Sequence, residues 1–156
     1  MVVDWLVNGA IGGAVVSLVA FVLSRFVHDV VGRVWLAFVL VAAAFFYVVF
    51  AHRGDAGIAW LIGEVVGIGL YGGMGVLGVR RSVWWLAAGW ALHPVWDMVL
   101  HHVGPGRSFT PEAYPISCVS WDLLVAAYVA AAYGFGLVGG PRSRLRSEPA
   151  VRGTAL

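Results

Sequence analysis

Lysine is absent from the chain, and cysteine occurs once. The lone Cys118 excludes an intrachain disulfide and leaves the redox compartment unreadable. All 10 basic residues are arginine, and charged residues make up only 12% of the 156 positions. Basic residues cluster only near the C-terminus, which excludes the basic face that a nucleic-acid partner needs. The N-terminus carries Asp4 rather than a basic stretch, and no small-residue cleavage site stands out. The first apolar run therefore reads as a retained helix rather than a signal peptide.

What fills the chain instead is apolar residues, 61% of it. A soluble domain of this length exposes too much of its own surface to hide them. Lipid is the solvent that fits. A hydrocarbon core of ~30 Å needs ~20 apolar residues per helix, and five runs near that length occur: Trp5–Val27, Val34–Ala51, Gly57–Val79, Val83–Val103 and Ser117–Gly139. A closed barrel cannot be made from so few segments. The expected fold is all-α, a polytopic five-helix transmembrane bundle over residues 1–140. The connectors are His28–Arg33, His52–Ala56, Arg80–Ser82 and the proline-bearing Gly104–Ile116. After Pro141 the composition turns polar, which predicts a disordered tail over 141–156.

Arginine placement sets the expected topology. Arg25, Arg33, Arg80, Arg81, Arg142, Arg144, Arg146 and Arg152 fall on one side, against Arg53 and Arg107 on the other. The positive-inside bias puts the N-terminus outside and the C-terminus in the cytoplasm, in a multi-pass protein of the cell membrane. Trp84 and Trp85 read as anchors at the cytoplasmic boundary, with Trp60 and Trp121 near the opposite one. Gly67, Gly69 and Gly72 match a dinucleotide-binding spacing, but no strand precedes them. Gly63 with Gly67, and Gly9 with Gly13, are instead expected to let helix backbones approach closely.

Three carboxylates fall inside the predicted spans: Glu64, Asp97 and Asp122. An ionisable group at mid-bilayer costs ~2.5–3.5 kcal/mol on insertion scales, so each needs a partner, a polar cavity or water. His93, Asp97 and His101 are spaced by four along one helix face, with His102 just off it and Pro94 expected to kink the helix. Cys118 and Asp122 share a face of the fifth helix. At ~1.5 Å per residue, all three acids are expected roughly 8–10 Å below the outer boundary, at one level. Plainer readings stand beside this one: His101 and His102 as helix-end residues, Cys118 as a packing residue, Asp122 as an interhelical hydrogen-bonding group, and His28 and His52 as solvated residues of the connectors.

The run Gly-Trp-x-Leu-His-x-x-Trp-Asp from Gly89 to Asp97, followed by His101 or His102 and then Tyr114, Cys118 and Asp122, resembles the domain-of-unknown-function family numbered 6010. These are small bacterial membrane proteins, and Glu64 falls where the family carries a Glu in the preceding helix. The resemblance covers roughly Val34 to Tyr133. It implies a membrane fold and a shared polar site, and no activity. In general design, without an alignable motif, the chain is also similar to small membrane-bound terpene cyclases of meroterpenoid pathways.

Three functions are compatible with these residues. The first is an acid-initiated terpene cyclase acting on a hydrophobic isoprenoid without a cofactor. Glu64, Asp97 and Asp122 would be its acids, His93 would tune one of them, and Trp90, Trp96, Trp121 and Tyr71 would form cavity walls whose faces stabilise a cation. The second is a hydrolase or oxidoreductase with zinc or iron on His93, Asp97, His101 or His102, and Glu64. The third is a proton-coupled carrier, which with five helices per chain would call for an oligomer. The partners expected are the lipid bilayer and a small hydrophobic molecule, with no nucleic acid.

Overall fold

In the computed structural model, described over residues 1–138, five α-helices account for most of the described residues and no strand occurs among them. The expected tail 141–156 lies outside the described residues. Helix α1 spans Val2–Val22 and ends in a π-helical turn, Leu23–Val27. Helix α2 spans Asp29–Arg53, α3 Ile58–Arg80, and α5 Ala113–Gly134. These four are long and apolar enough to cross a membrane. Helix α4, Trp84–Trp96, runs directly into a six-residue π-helical segment, Asp97–His102. A 3-10 turn at Pro105–Ser108 leads toward α5.

The outside of the bundle is apolar. Phe38, Leu18, Val66 and Val65 are exposed by 64, 62, 62 and 58%, while the buried set holds Glu64, His93, Asp97, His101 and Asp122. That inversion of the soluble pattern is what a lipid environment requires. The chain is an integral membrane protein with its ionisable groups turned inward.

The helices close into a ring. Each packs against two neighbours in the order α1–α2–α3–α4–α5 and back to α1, with α2 and α4 also meeting across it. Leu36, Leu40, Leu86, Trp90, Val125 and Val129 form the packed half of the interior. Since lipid tails are as apolar as leucine, helix association relies on close packing and hydrogen bonds. Gly9 and Gly13 supply the first: a methyl at either would overlap the α5 backbone, at the Ser117 and Trp121 carbonyls. Ser120 adds a hydrogen bond from its hydroxyl to the Leu6 carbonyl, 2.7 Å.

Two expected boundaries move. The connector His28–Arg33 shrinks to His28 itself, whose Nδ1 accepts from the Val30 N–H at 3.2 Å. Helix α2 starts at once, with Asp29 and Arg33 paired at 2.6 Å one turn apart. Polar residues that suggested a loop are thus a cap and an intrahelical pair. Pro115 sits inside α5, in its first turn, where backbone N–H groups have no intrahelical acceptor and proline removes nothing. The glycine expectation for α3 is also corrected: a Cβ at Gly63 would meet nothing within 4 Å, so no helix approaches there.

These packing differences give opposite outcomes for two glycines. Gly13→Leu should destabilise the bundle by about 1–3 kcal/mol through overpacking. Gly63→Ala should be neutral or stabilising by up to ~1 kcal/mol, from helix propensity. Thermal unfolding in detergent reads both, and a Gly13→Leu protein as stable as the parent would contradict the packing of α1 on α5.

Candidate functional site

Helix α4 organises the site through its change of winding. Pro94 lies inside the helix and offers no N–H to the Trp90 carbonyl. Three residues later the bonding shifts to i→i+5, as in Val103 N–H to Met98 O at 2.9 Å. Residues four apart overshoot a full turn of an α-helix but fall short of a π turn. The drift from His93 to Asp97 is therefore reversed from Asp97 to His101, and all three stay on the buried face at 0, 0 and 1% exposure.

His93 and Asp97 meet α5. His93 Nδ1 lies 2.9 Å from Asp122 Oδ2 and 3.4 Å from Asp97 Oδ2. Cys118, one turn before Asp122, completes a group in which one ligand-type atom from each of the four residues lies within 4.8 Å of the others. One imidazole nitrogen thus faces two carboxylates and can donate a single proton to one of them. His93 Nε2, Asp97 Oδ1 and Asp122 Oδ1 are buried with no hydrogen-bond partner among the described residues. Tyr71 packs edge-on against the His93 ring at 4.9 Å, and its hydroxyl donates to the Leu92 carbonyl at 3.5 Å.

Glu64 is elsewhere. The three acids were expected at one level, but Glu64 pairs with His101, Nε2 to Oε1 at 3.4 Å, one turn beyond Asp97. Helix α4 lies between α3 and α5, so Asp97 turns to α5 while His101 reaches α3. The other His101 nitrogen lies 3.3 Å from the Thr110 hydroxyl. Tyr47 of α2 stacks on the His101 ring, centroids 3.8 Å apart and 18° between planes. Trp60 and Phe109 close the outer side, 6.0 and 5.9 Å from that ring. The set His93, Asp97, His101 and His102 does not form one ligand cluster, because His101 is held by Glu64 and Thr110 and His102 lies off the face.

A cavity of about 420 Å³ opens between α1, α2 and α5, its lining including Phe46, Tyr114, Cys118, Trp121 and Asp122. That volume lies in the usual range of small-molecule pockets, ~300–1,000 Å³. Of the four predicted aromatic walls, Trp121 lines this cavity. Trp90 is fully buried in the core, and Tyr71 and Trp96 pack on each other edge to face, 6.2 Å apart. Phe46 and Tyr114 border the cavity in their stead, and Tyr47 belongs to the polar interior. No periodic signal marks these three, since their apolar neighbours conceal them.

A helical membrane bundle with a buried cluster of histidine and carboxylates defines the class of protein. Within it, the chain belongs to the Family of unknown function (DUF6010), whose model matches residues 8–136. The match extends over most of the first helix, beyond the Val34–Tyr133 stretch that carries the motif. No curated protein and no solved structure matches the chain.

Removing the imidazole alone leaves two carboxylates buried together. His93→Ala is expected to cost roughly 3–5 kcal/mol, the loss typical when one partner of a buried ion pair is deleted. Asp97→Asn in that background should recover part of it. Unfolding of the single and double variants in detergent measures both, and additive losses would show that His93 and Asp97 do not interact.

Proposed function

We propose that this chain is a membrane-embedded enzyme performing acid–base chemistry on an apolar isoprenoid substrate taken from the bilayer, and that the reaction is acid-initiated cyclisation. The observation that carries the reading is Asp122, which lines an apolar cavity while its carboxylate is held by His93 with Asp97 beside it. His93 as imidazolium offsets one carboxylate, and one further proton on Asp97 or Asp122 offsets the other. The protonated Asp122 carboxyl delivers it to an alkene or epoxide oxygen of the substrate, and the resulting cation closes onto a second alkene. Loss of a proton from the cyclic cation to the carboxylate restores the site. Faces of Trp121, Phe46 and Tyr114 are placed to stabilise the cation. The arginine bias supports a cell-membrane orientation with the N-terminus outside, which puts the cavity in the outer half of the bundle.

One observation favours a second reading, a metal-dependent enzyme. His93, Asp97, Cys118 and Asp122 have ligand atoms within 4.8 Å of one another. Tetrahedral zinc with bonds of ~2.0–2.3 Å sets its ligand atoms ~3.3–3.8 Å apart, so the widest pair here would have to close by about 1 Å. Four protein ligands, however, leave no open position for substrate, which suits a structural ion better than a catalytic one.

Membranes containing the protein should cyclise a farnesyl or epoxyfarnesyl substrate, and Asp122→Asn should lower the rate ~10²–10⁴-fold, the range of a lost general acid. Full activity in both Asp122→Asn and Asp97→Asn would end the proton mechanism. Stoichiometric zinc or iron in the purified protein, lost in His93→Ala and Cys118→Ser, would move the assignment to the metal.

A further inference from the structure

We propose that the groove between α2 and α3 binds an anionic phospholipid, with one acyl chain along the two helices and the headgroup phosphate on Arg80. The groove is separate from the cavity beside Asp122. It has a volume of about 430 Å³, and its lining includes Val34, Phe38, Val41, Gly72, Gly75 and Arg80. Its shape follows from the side chains that α3 lacks. A Cβ at Gly75 would come within 3.1 Å of the Ala37 Cβ, and one at Gly72 would meet Val41 Cγ2 at 3.8 Å. The two glycines leave a floor without side chains, while Phe38 and Val76 stand exposed on either side. From Val34 to Val41 and from Gly72 to Arg80 the helices rise roughly 10–12 Å at ~1.5 Å per residue. That is most of the ~15 Å that one leaflet contributes to a ~30 Å hydrocarbon core.

Arg80 is the one charged residue in this lining among the described residues. It lies in the last turn of α3 and is exposed, with no carboxylate partner among the described residues. Arg33, one residue before Val34, is already offset by Asp29 at 2.6 Å. Arg81 follows Arg80 and is also exposed, again with no carboxylate partner among the described residues. The C-terminus of α3 carries only about half a negative charge, so a positive excess stands at the end of an otherwise apolar groove. Guanidinium and phosphate form charge-assisted, often bidentate hydrogen bonds. An acyl chain with an anion at its end therefore matches both parts of the site. A second copy of the chain matches only the apolar part. Packed here about a two-fold axis along the membrane normal, it would set two Arg80 side chains at one level, like charge facing like charge.

The test is native mass spectrometry of the full-length protein, delipidated in a neutral detergent and titrated with phosphatidylglycerol or with phosphatidylcholine of the same acyl chains. The first phosphatidylglycerol should bind about tenfold more tightly than phosphatidylcholine, whose choline cation already offsets its phosphate. Arg80→Gln should bring the two lipids within about twofold of each other, whereas Arg81→Gln, outside the groove lining, should keep the preference. Gly72→Leu has room for its Cβ and fills the groove, so it should weaken binding of the first phosphatidylglycerol tenfold or more in a protein that still melts as a folded bundle. Equal affinity for both lipids in the parent, an undiminished preference in Arg80→Gln, or unchanged binding in Gly72→Leu would each overturn the site. A preference lost equally in Arg81→Gln would reduce it to net charge and overturn it as well. A lipid-free dimer dispersed by Gly72→Leu would give the groove to a second copy instead. None of these outcomes bears on the reaction proposed at Asp122.

Discussion

Two aspartates share one histidine nitrogen in the middle of a bundle whose outside is hydrocarbon-facing, and much of the molecule is arranged around that contact. Charge inside a lipid-surrounded fold is stabilised only by partners brought to it. His93 and Asp97 come from one helix and Asp122 from another, so the contact fixes α4 against α5 in both register and rotation. It also explains the winding of α4. An unbroken α-helix would turn His101 roughly 80° from His93, and the π segment after Pro94 reduces that drift.

The rest of the ring determines what reaches this centre. Helices α2 and α3 cover it with Tyr47 and Tyr71, while Asp122, itself 0% exposed, borders the cavity beside α5. Helix α1 contributes shape more than chemistry. Its glycines let it lie directly on α5, and Gly9, having no side chain, forms part of the cavity wall. The same small residues thus serve the packing and the space next to the site.

Sequence alone made the spans legible, because lipid imposes a minimum apolar length that needs no tertiary information. The face of α4 was legible too, since His93, Asp97 and His101 repeat at a helical interval. The partition of the polar residues was not. Glu64 was expected beside Asp97, and its separation depends on which neighbour each turn of α4 meets, which spacing along one helix does not encode. The His28–Arg33 boundary failed for a related reason: a cap and an i,i+4 ion pair have the same composition as a loop. Tyr47 carried no signal, being one aromatic residue within an apolar run.

The two buried polar groups differ in their charge balance. Glu64 and His101 are one acid and one imidazole, able to compensate each other by a single proton. Asp97, Asp122 and His93 are two acids and one imidazole, so the same proton count leaves a negative charge in a medium that tolerates none well. The inner centre therefore requires one more positive charge, from a proton or a metal ion. The Glu64–His101 pair has no such requirement. That incomplete balance lies beside the apolar cavity, whose lining includes Asp122.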